Sequence, residues 1–393
     1  MIAGGRFVLG TRSRRVAWLM VTAGAIAAVT GVATDPWHTW PHLLVNGYYL
    51  VALALGGPVF LSLHYLSRAS WSANIRRVPE AMTSALPLAG LLMMSVFFGR
   101  GQLYLAGHAG RQAASSSTAL YLAAPFLFGR MALFLVIWAA CARAMRRTSL
   151  RQDDDPAPIH HQRLVRGAAM FIVVFALTFS LASFDWLMSL ARDWSSTIFA
   201  VYWFAGLLSG GLAAITLGVV LLLERGDFAG VVAENQLHDL GKLLFAFSTF
   251  WAYVWFSQYL LIWYGNLPEE TAYYIKRTNQ AWIVPFVANL LLNWAVPFLV
   301  LMPRAAKRSG VVLKWMAIAI LAGRWLDVYL AVMPEMMPAP SVRWPALLVA
   351  AGYAAAFFLL ATRSLAGAPL VPVHDLSSAE PRPAIDEEMP SCV

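Results

Sequence analysis

Cysteine is almost absent: Cys141 and Cys392 are the only two in 393 residues. Neither belongs to a C-x-x-C or C-x-x-C-H pattern, so iron-sulfur clusters, structural zinc and covalent haem c lack their ligands in this chain. Charge is scarce as well. Charged residues make up 12% of the sequence and hydrophobic residues 60%, a balance far from that of water-soluble domains. A lipid bilayer is the expected solvent. Histidine is equally thin: of eight, only His42 and His64 fall inside an apolar run, the same one, near its opposite ends. Haem b needs two histidines facing each other from two helices, which this placement does not offer. The net charge is +9, but the basic residues sit in short loops between apolar runs rather than in a continuous stripe. They therefore do not read as a nucleic-acid surface.

What the sequence does have is long apolar runs. A helix needs about 20 apolar residues to cross the hydrocarbon core, and ten windows qualify. They cover approximately 17 to 33, 42 to 66, 80 to 99, 119 to 142, 165 to 190, 197 to 223, 241 to 264, 280 to 302, 313 to 332 and 344 to 362. The fold class expected is an all-α integral membrane protein of about ten transmembrane helices. Arg12, Arg14 and Arg15 ahead of Ala17 to Ala33 also fit the n-region and h-region of a secretory signal. Either reading leaves the downstream orientation unchanged.

Cytoplasmic loops retain Lys and Arg. Arg100, Arg111, Arg192, Lys276, Arg277 and Arg343 fall on one side of these spans, Arg130 and Arg324 fall inside them, and all the others of the 29 fall on the opposite side. The expectation is a multi-pass membrane protein with both termini cytoplasmic. Trp37, Trp40, Trp194, Trp263 and Trp282 then cluster at outer ends, where indoles favour the headgroup layer.

A weak internal repeat runs through the chain. Tyr48 precedes Gly56-Gly57 by eight residues, and Tyr202 precedes Gly210-Gly211 by eight. Pro125-Phe126 and Pro285-Phe286 open the fourth and eighth spans, and Asp185-Trp186-Leu187 in the fifth is echoed by Arg324-Trp325-Leu326-Asp327 in the ninth. A period of four helices makes the copies parallel, unlike the inverted repeats common in transporters. The expected organisation is a basic N-terminus over 1–16 and a ten-helix domain over 17–363. Within it, helices 2–5 (about 42–190) and 6–9 (about 197–332) form two four-helix bundles, with the first and tenth helices peripheral. A Pro-, Ser- and acid-rich tail over 364–393 is expected to be disordered.

An ionisable group near the bilayer centre costs about 2.5 to 3.5 kcal/mol on insertion scales, so each needs a partner or a wet cavity. Arg130, Asp185, Arg324 and Asp327 are such groups, all in the outer half. Arg324 and Asp327 share a helix face at i, i+3 and can simply pair. If the bundles pack face to face, Asp185 and Asp327 occupy similar places in each and can relay protons. On the cytoplasmic side, His238, Asp239 and Lys242 are either a solvated loop or a proton entrance. Glu80 after Pro79 reads as a helix-start acid. His42 and Asn46, with Tyr48 just below, are candidates to contact a quinone headgroup, or an interfacial histidine beside belt tyrosines. No residue set suggests a metal site or a catalytic constellation.

Several long segments carry a family resemblance. They are Phe175 to Trp186 (FALTFSLASFDW) with Leu187 to Leu190 and Trp194 to Phe199, Ser72 to Glu80 (SANIRRVPE), His238 to Tyr264 (HDLGKLLFAFSTFWAYVWFSQYLLIWY), Asn266 to Thr271 (NLPEET) and Pro303 to Arg308 (PRAAKR). The chain strongly resembles the ActF subunits of bacterial alternative complex III, themselves similar to NrfD-type polysulfide-reductase membrane subunits. The resemblance covers nearly everything but the tail. It implies a subunit without a cofactor of its own in a complex that oxidises quinol or menaquinol and passes electrons towards cytochrome c or an oxidase. The implied partners are a paralogous NrfD-like quinol-binding membrane subunit, periplasmic iron-sulfur and multihaem cytochrome c subunits that hold the clusters and haem c, a terminal oxidase, and lipids. The family's proton-route carboxylate maps onto Asp185, and its Arg and Asp of the ninth span map onto Arg324 and Asp327. One departure stands out: where the family has an LYEW-like segment with acidic and histidine residues, this chain reads Leu103-Tyr104-Leu105-Ala106-Gly107-His108. A stand-alone secondary transporter and the membrane anchor of another NrfD-type reductase are the alternatives.

Overall fold

The computed structural model describes residues 7–105, 121, 123–191 and 194–372. Cys392, His108, Arg111, Arg192 and the tail from 373 onward lie outside the described residues. The protein is an all-α integral membrane protein: its regular elements are helices, and nine of those described are long and apolar enough to cross a membrane. These are Thr11–Thr34, Pro36–Leu66, Arg77–Gly99, Ala124–Asp154, Pro158–Leu190, Phe199–Glu224, Ile283–Leu301, Gly310–Met336 and Trp344–Ala366. The remaining apolar window, 241 to 264, lies on a helix of 32 residues, Glu234–Gly265. At ~1.5 Å per residue that helix is long enough to span, but its tryptophans, tyrosines and Gln258 make it less apolar than the rest.

In chain order the helices used below are α1 (Thr11–Thr34), α2 (Pro36–Leu66), α3 (Arg77–Met82), α4 (Leu86–Met94), α5 (Ala124–Asp154), α6 (Pro158–Trp186), α7 (Phe199–Glu224), α8 (Glu234–Gly265), α9 (Pro268–Thr278), α10 (Ile283–Leu290), α11 (Val296–Leu301), α12 (Arg304–Arg308), α13 (Gly310–Met336) and α14 (Trp344–Ala366). The last helix runs four residues past the window expected from the sequence and takes Arg363 into its final turn.

Burial separates a centre from a rim. The apolar stretch of α2 is 89% buried and that of α7 72%, against 22% for α1. The two central helices cross at the glycines that mark the repeat. A Cβ on Gly56 would stand 2.6 Å from the Gly211 Cα, and one on Gly211 would stand 2.7 Å from the Gly56 Cα. Without a hydrophobic drive between helices in lipid, such close backbone approach is a main source of packing energy. The peripheral helices use the same device: a Cβ on Gly24 of α1 would lie 2.8 Å from the Gly352 Cα of α14.

Two proline effects shape α10, α11 and α13. Pro297 has no N–H to give the Asn293 carbonyl, and the helix widens into a π turn over Leu291–Ala295. Pro334 likewise leaves the Leu330 carbonyl without its helical donor. Arg277, buried at the end of α9, fills the gap: its Nε donates to the Leu330 carbonyl at 2.9 Å and its Nη2 to the Ala331 carbonyl at 3.0 Å. Its Nη1 also bonds Glu335 at 3.0 Å. A residue that reads in sequence as a loop charge is thus a buried prop for a proline-broken helix.

Candidate functional site

The four ionisable groups expected inside the spans form two pairs. On α13, Arg324 Nη2 lies 2.5 Å from Asp327 Oδ2, both side chains 4% exposed. Between α5 and α6, Arg130 Nε lies 2.8 Å from Asp185 Oδ2, with Asp185 1% exposed and Arg130 20%. A buried ion pair holds only when its remaining lone pairs and protons find partners, and the two pairs differ in how they meet that demand.

Asp327 is fully engaged. Its Oδ1 accepts from the Tyr202 hydroxyl of α7 and from Asn289 Nδ2 of α10 at 2.8 Å. Asn293, at the π turn, donates to Asn289 Oδ1 at 2.7 Å and so fixes the orientation of that amide. Arg324 is received by a glycine groove on α7. A Cβ at Gly206 would fall 2.1 Å from Arg324 Nη2, and one at Gly210 would fall 3.4 Å from its Cγ. The guanidinium also sits 5.2 Å from the centre of the Trp251 ring. Gly206, Asn289 and Asn293 are not singled out by the sequence reading; two amides four residues apart in an apolar span were the available signal.

Asp185 is less completely bound. Its Oδ1 is buried with no hydrogen-bond partner among the described residues. Arg130 turns its other nitrogens to the Tyr121 carbonyl, 3.1 Å away, and stacks on that ring at 3.8 Å.

Tyr48 stands between the two pairs. Its ring meets Trp186, next to Asp185, edge-on at 6.3 Å, and Trp203 at 5.3 Å. A cavity of about 20 Å³ opens beside it, lined by Tyr48, Tyr49, Trp203, Gly206 and Arg324. The Tyr48 hydroxyl and Arg324 Nη1 are both buried without a partner among the described residues. That volume suits about one water molecule, and the two groups are its natural anchors. Below this level, α7 carries Ser209 and Thr216, whose buried hydroxyls also lack partners. With Tyr202 they recur every seven residues, on one face of the helix.

The other candidates are placed differently. His42 Nε2 bonds the Ser341 carbonyl at 3.1 Å, and Asn46 is engaged at both ends, by the His42 carbonyl at 2.8 Å and by Trp325 Nε1 at 2.9 Å. His42 Nδ1 and the Tyr48 hydroxyl are both buried without a hydrogen-bond partner among the described residues, and Tyr48 also lines the cavity. His238, Asp239 and Lys242 lie at the surface, where Lys242 Nζ pairs with Asp239 at 2.6 Å with 55% of its side chain exposed. Burial and the cations Lys242, Arg304 and Arg308 hold the His238 pKa below its usual value.

The buried charge on that side lies elsewhere. Glu80, expected as a helix-start acid, does stand in the first turn of α3, but its carboxylate is fully enclosed. Oε2 accepts from Arg77 at 2.5 Å, and Oε1 accepts from Ser149 at 2.5 Å and lies 3.4 Å from Arg76 Nε. Arg77 also pairs with Asp153 of α5. Arg76 and Arg77 enter the sequence count as topology charges, yet they are 5% and 3% exposed.

Among the described residues no group of three or more His, Cys, Asp or Glu side chains is arranged to hold a metal ion. No protein-family model and no curated protein matches the chain.

Proposed function

We propose that this chain is a membrane subunit of a quinol-oxidising respiratory complex of the alternative complex III type, contributing scaffold and a proton path rather than a redox centre. The segments quoted above that resemble the ActF subunits support the class of complex. The observation that carries the proton path is the pair of buried carboxylate–arginine contacts on either side of Tyr48, with a water-sized cavity at Arg324.

In this reading the arginine-rich side faces the cytoplasm of a bacterial inner membrane, with both termini there. Asp185 Oδ1 is the open proton acceptor, and Asp327, held by Arg324, Tyr202 and Asn289, is the guarded one. A proton arriving at either carboxylate neutralises it and leaves the paired guanidinium uncompensated, which favours release of that proton from the carboxyl group to the next acceptor. Tyr48 and one water stand between the two halves, and Tyr202, Ser209 and Thr216 place hydroxyls about 10 Å apart along α7, to be bridged by further waters. Quinol oxidation, haem c and iron-sulfur chemistry belong to the partner subunits.

The test is gentle solubilisation through a tag on the C-terminal tail, followed by mass spectrometry of bound proteins and assays for haem and iron. Co-purification of a multihaem cytochrome, an iron-sulfur protein and a paralogous membrane subunit is expected. A lone, colourless chain that moves a solute across vesicles would overturn the proposal in favour of a transporter.

A further inference from the structure

A second polar site lies on the arginine-rich side, away from the paired carboxylates. It is a shallow pocket where the end of α2, the short helix Ser70–Ile75 and the start of α6 meet, with an inner volume of about 20 Å³ that opens to the surface. His64, Tyr65, Arg68, Ser72, Arg76 and His161 line it, and no carboxylate does. Arg68 and Arg76 bring positive charge and N–H donors to one concavity and His161 a further ring nitrogen, which suits an oxyanion; Arg76 also lies 3.4 Å from Glu80, and His64 is a wall whose Nδ1 is already bonded.

Its walls are held in place. The His64 ring stacks on Phe60 at 3.8 Å, meets Trp71 edge-on at 5.2 Å and donates from Nδ1 to the Phe60 carbonyl at 2.7 Å. The Arg76 guanidinium lies 5.6 Å from the Tyr65 ring centre. His161 Nδ1 is buried with no partner among the described residues. Arg68 takes a left-handed backbone, φ 51°, just past the C-cap of α2. Glycine is the usual residue there, since a side chain makes that conformation costly. An arginine in its place sets a guanidinium at the rim.

We propose that this pocket binds the phosphate of an anionic phospholipid. The charge bias used above for the proposed orientation puts it on the cytoplasmic leaflet, whose anionic lipids attract basic pockets between spanning helices. The lipid tails would run along the exposed apolar flank of α6, where Met170, Val173 and Leu177 face outward. A free phosphate ion would use the same donors but not that flank.

The experiment is native mass spectrometry of the full-length chain released from detergent, with phosphatidylglycerol, phosphatidylcholine or inorganic phosphate added. Phosphatidylglycerol should be retained and phosphatidylcholine lost. Retention should fall about fivefold or more in Arg68→Gln with His161→Gln, by the contribution expected of a basic side chain near a charged surface, and stay unchanged in Arg12→Gln. Because a variant can fold poorly, melting is followed in parallel: phosphatidylglycerol should raise the melting temperature of the wild-type chain and not of the double variant. Equal retention by all three chains, or of both lipids, would overturn the proposal. Stabilisation by inorganic phosphate with no lipid retained would assign the pocket to a free anion and overturn the lipid.

Discussion

Arg324 holds the carboxylate of Asp327 one helical turn away, at 2.5 Å, in a setting where both side chains are 4% exposed. Removing one member of such a pair strands the other charge, which costs about 3–5 kcal/mol. Asp327→Leu and Arg324→Met should each destabilise the solubilised protein by that order. The double variant Arg324→Met with Asp327→Leu should lose clearly less than the sum. Denaturation of the four chains in detergent measures the cycle; strict additivity would mean the contact contributes nothing.

The groove that admits Arg324 gives a graded prediction. At Gly206 a Cβ would overlap the guanidinium, 2.1 Å from Nη2, whereas at Gly210 it would meet only Cγ at 3.4 Å. Gly206→Ala should therefore cost about 1–3 kcal/mol through overpacking. Gly210→Ala should be near neutral, since alanine favours the helix by up to about 1 kcal/mol over glycine. Melting temperatures in one detergent compare the two directly.

Helix crossing can be tested away from any charge. Gly56 faces the backbone of Gly211, while Gly129 has nothing within 4 Å of a built Cβ. Gly56→Leu should sharply reduce the yield of folded, monodisperse protein, and Gly129→Leu should not. Size-exclusion profiles read the difference.

These contacts show how much was legible beforehand. Apolar runs of spanning length are a direct demand of the bilayer, so the helices could be placed from sequence, and the i, i+3 spacing of Arg324 and Asp327 made their pairing readable. The repeat glycines were visible too, although their meeting across the α2–α7 crossing was not, because a spacing does not state a partner. Arg76, Arg77 and Arg277 were counted as loop charges because a count of charges carries no burial. Their real partners, Glu80 and the carbonyl freed by Pro334, lie on separate turns or helices. Asn289 and Asn293 escaped notice because amides carry no charge, and their orientation depends on a π turn produced by Pro297.

The surface group on the arginine-rich side predicts a pH response. Burial first and then Lys242, Arg304 and Arg308 disfavour the protonated form of His238. Its midpoint should lie below 6.5, and Lys242→Gln should move it upward. In folding terms, a histidine that resists protonation in the native state takes stability away as pH falls below its unfolded value. NMR titration of the His238 ring in the two chains gives the shift; a downward move in Lys242→Gln would contradict the assignment.

The central claim is that the buried carboxylates Asp185 and Asp327 carry protons, and Asp185, whose Oδ1 has no partner among the described residues, is the sharpest place to test it. The decisive measurement is the number of protons moved per electron by the purified complex in sealed liposomes, wild type against Asp185→Asn. A variant that still assembles and oxidises quinol should move fewer protons per electron. An unchanged ratio would contradict the account.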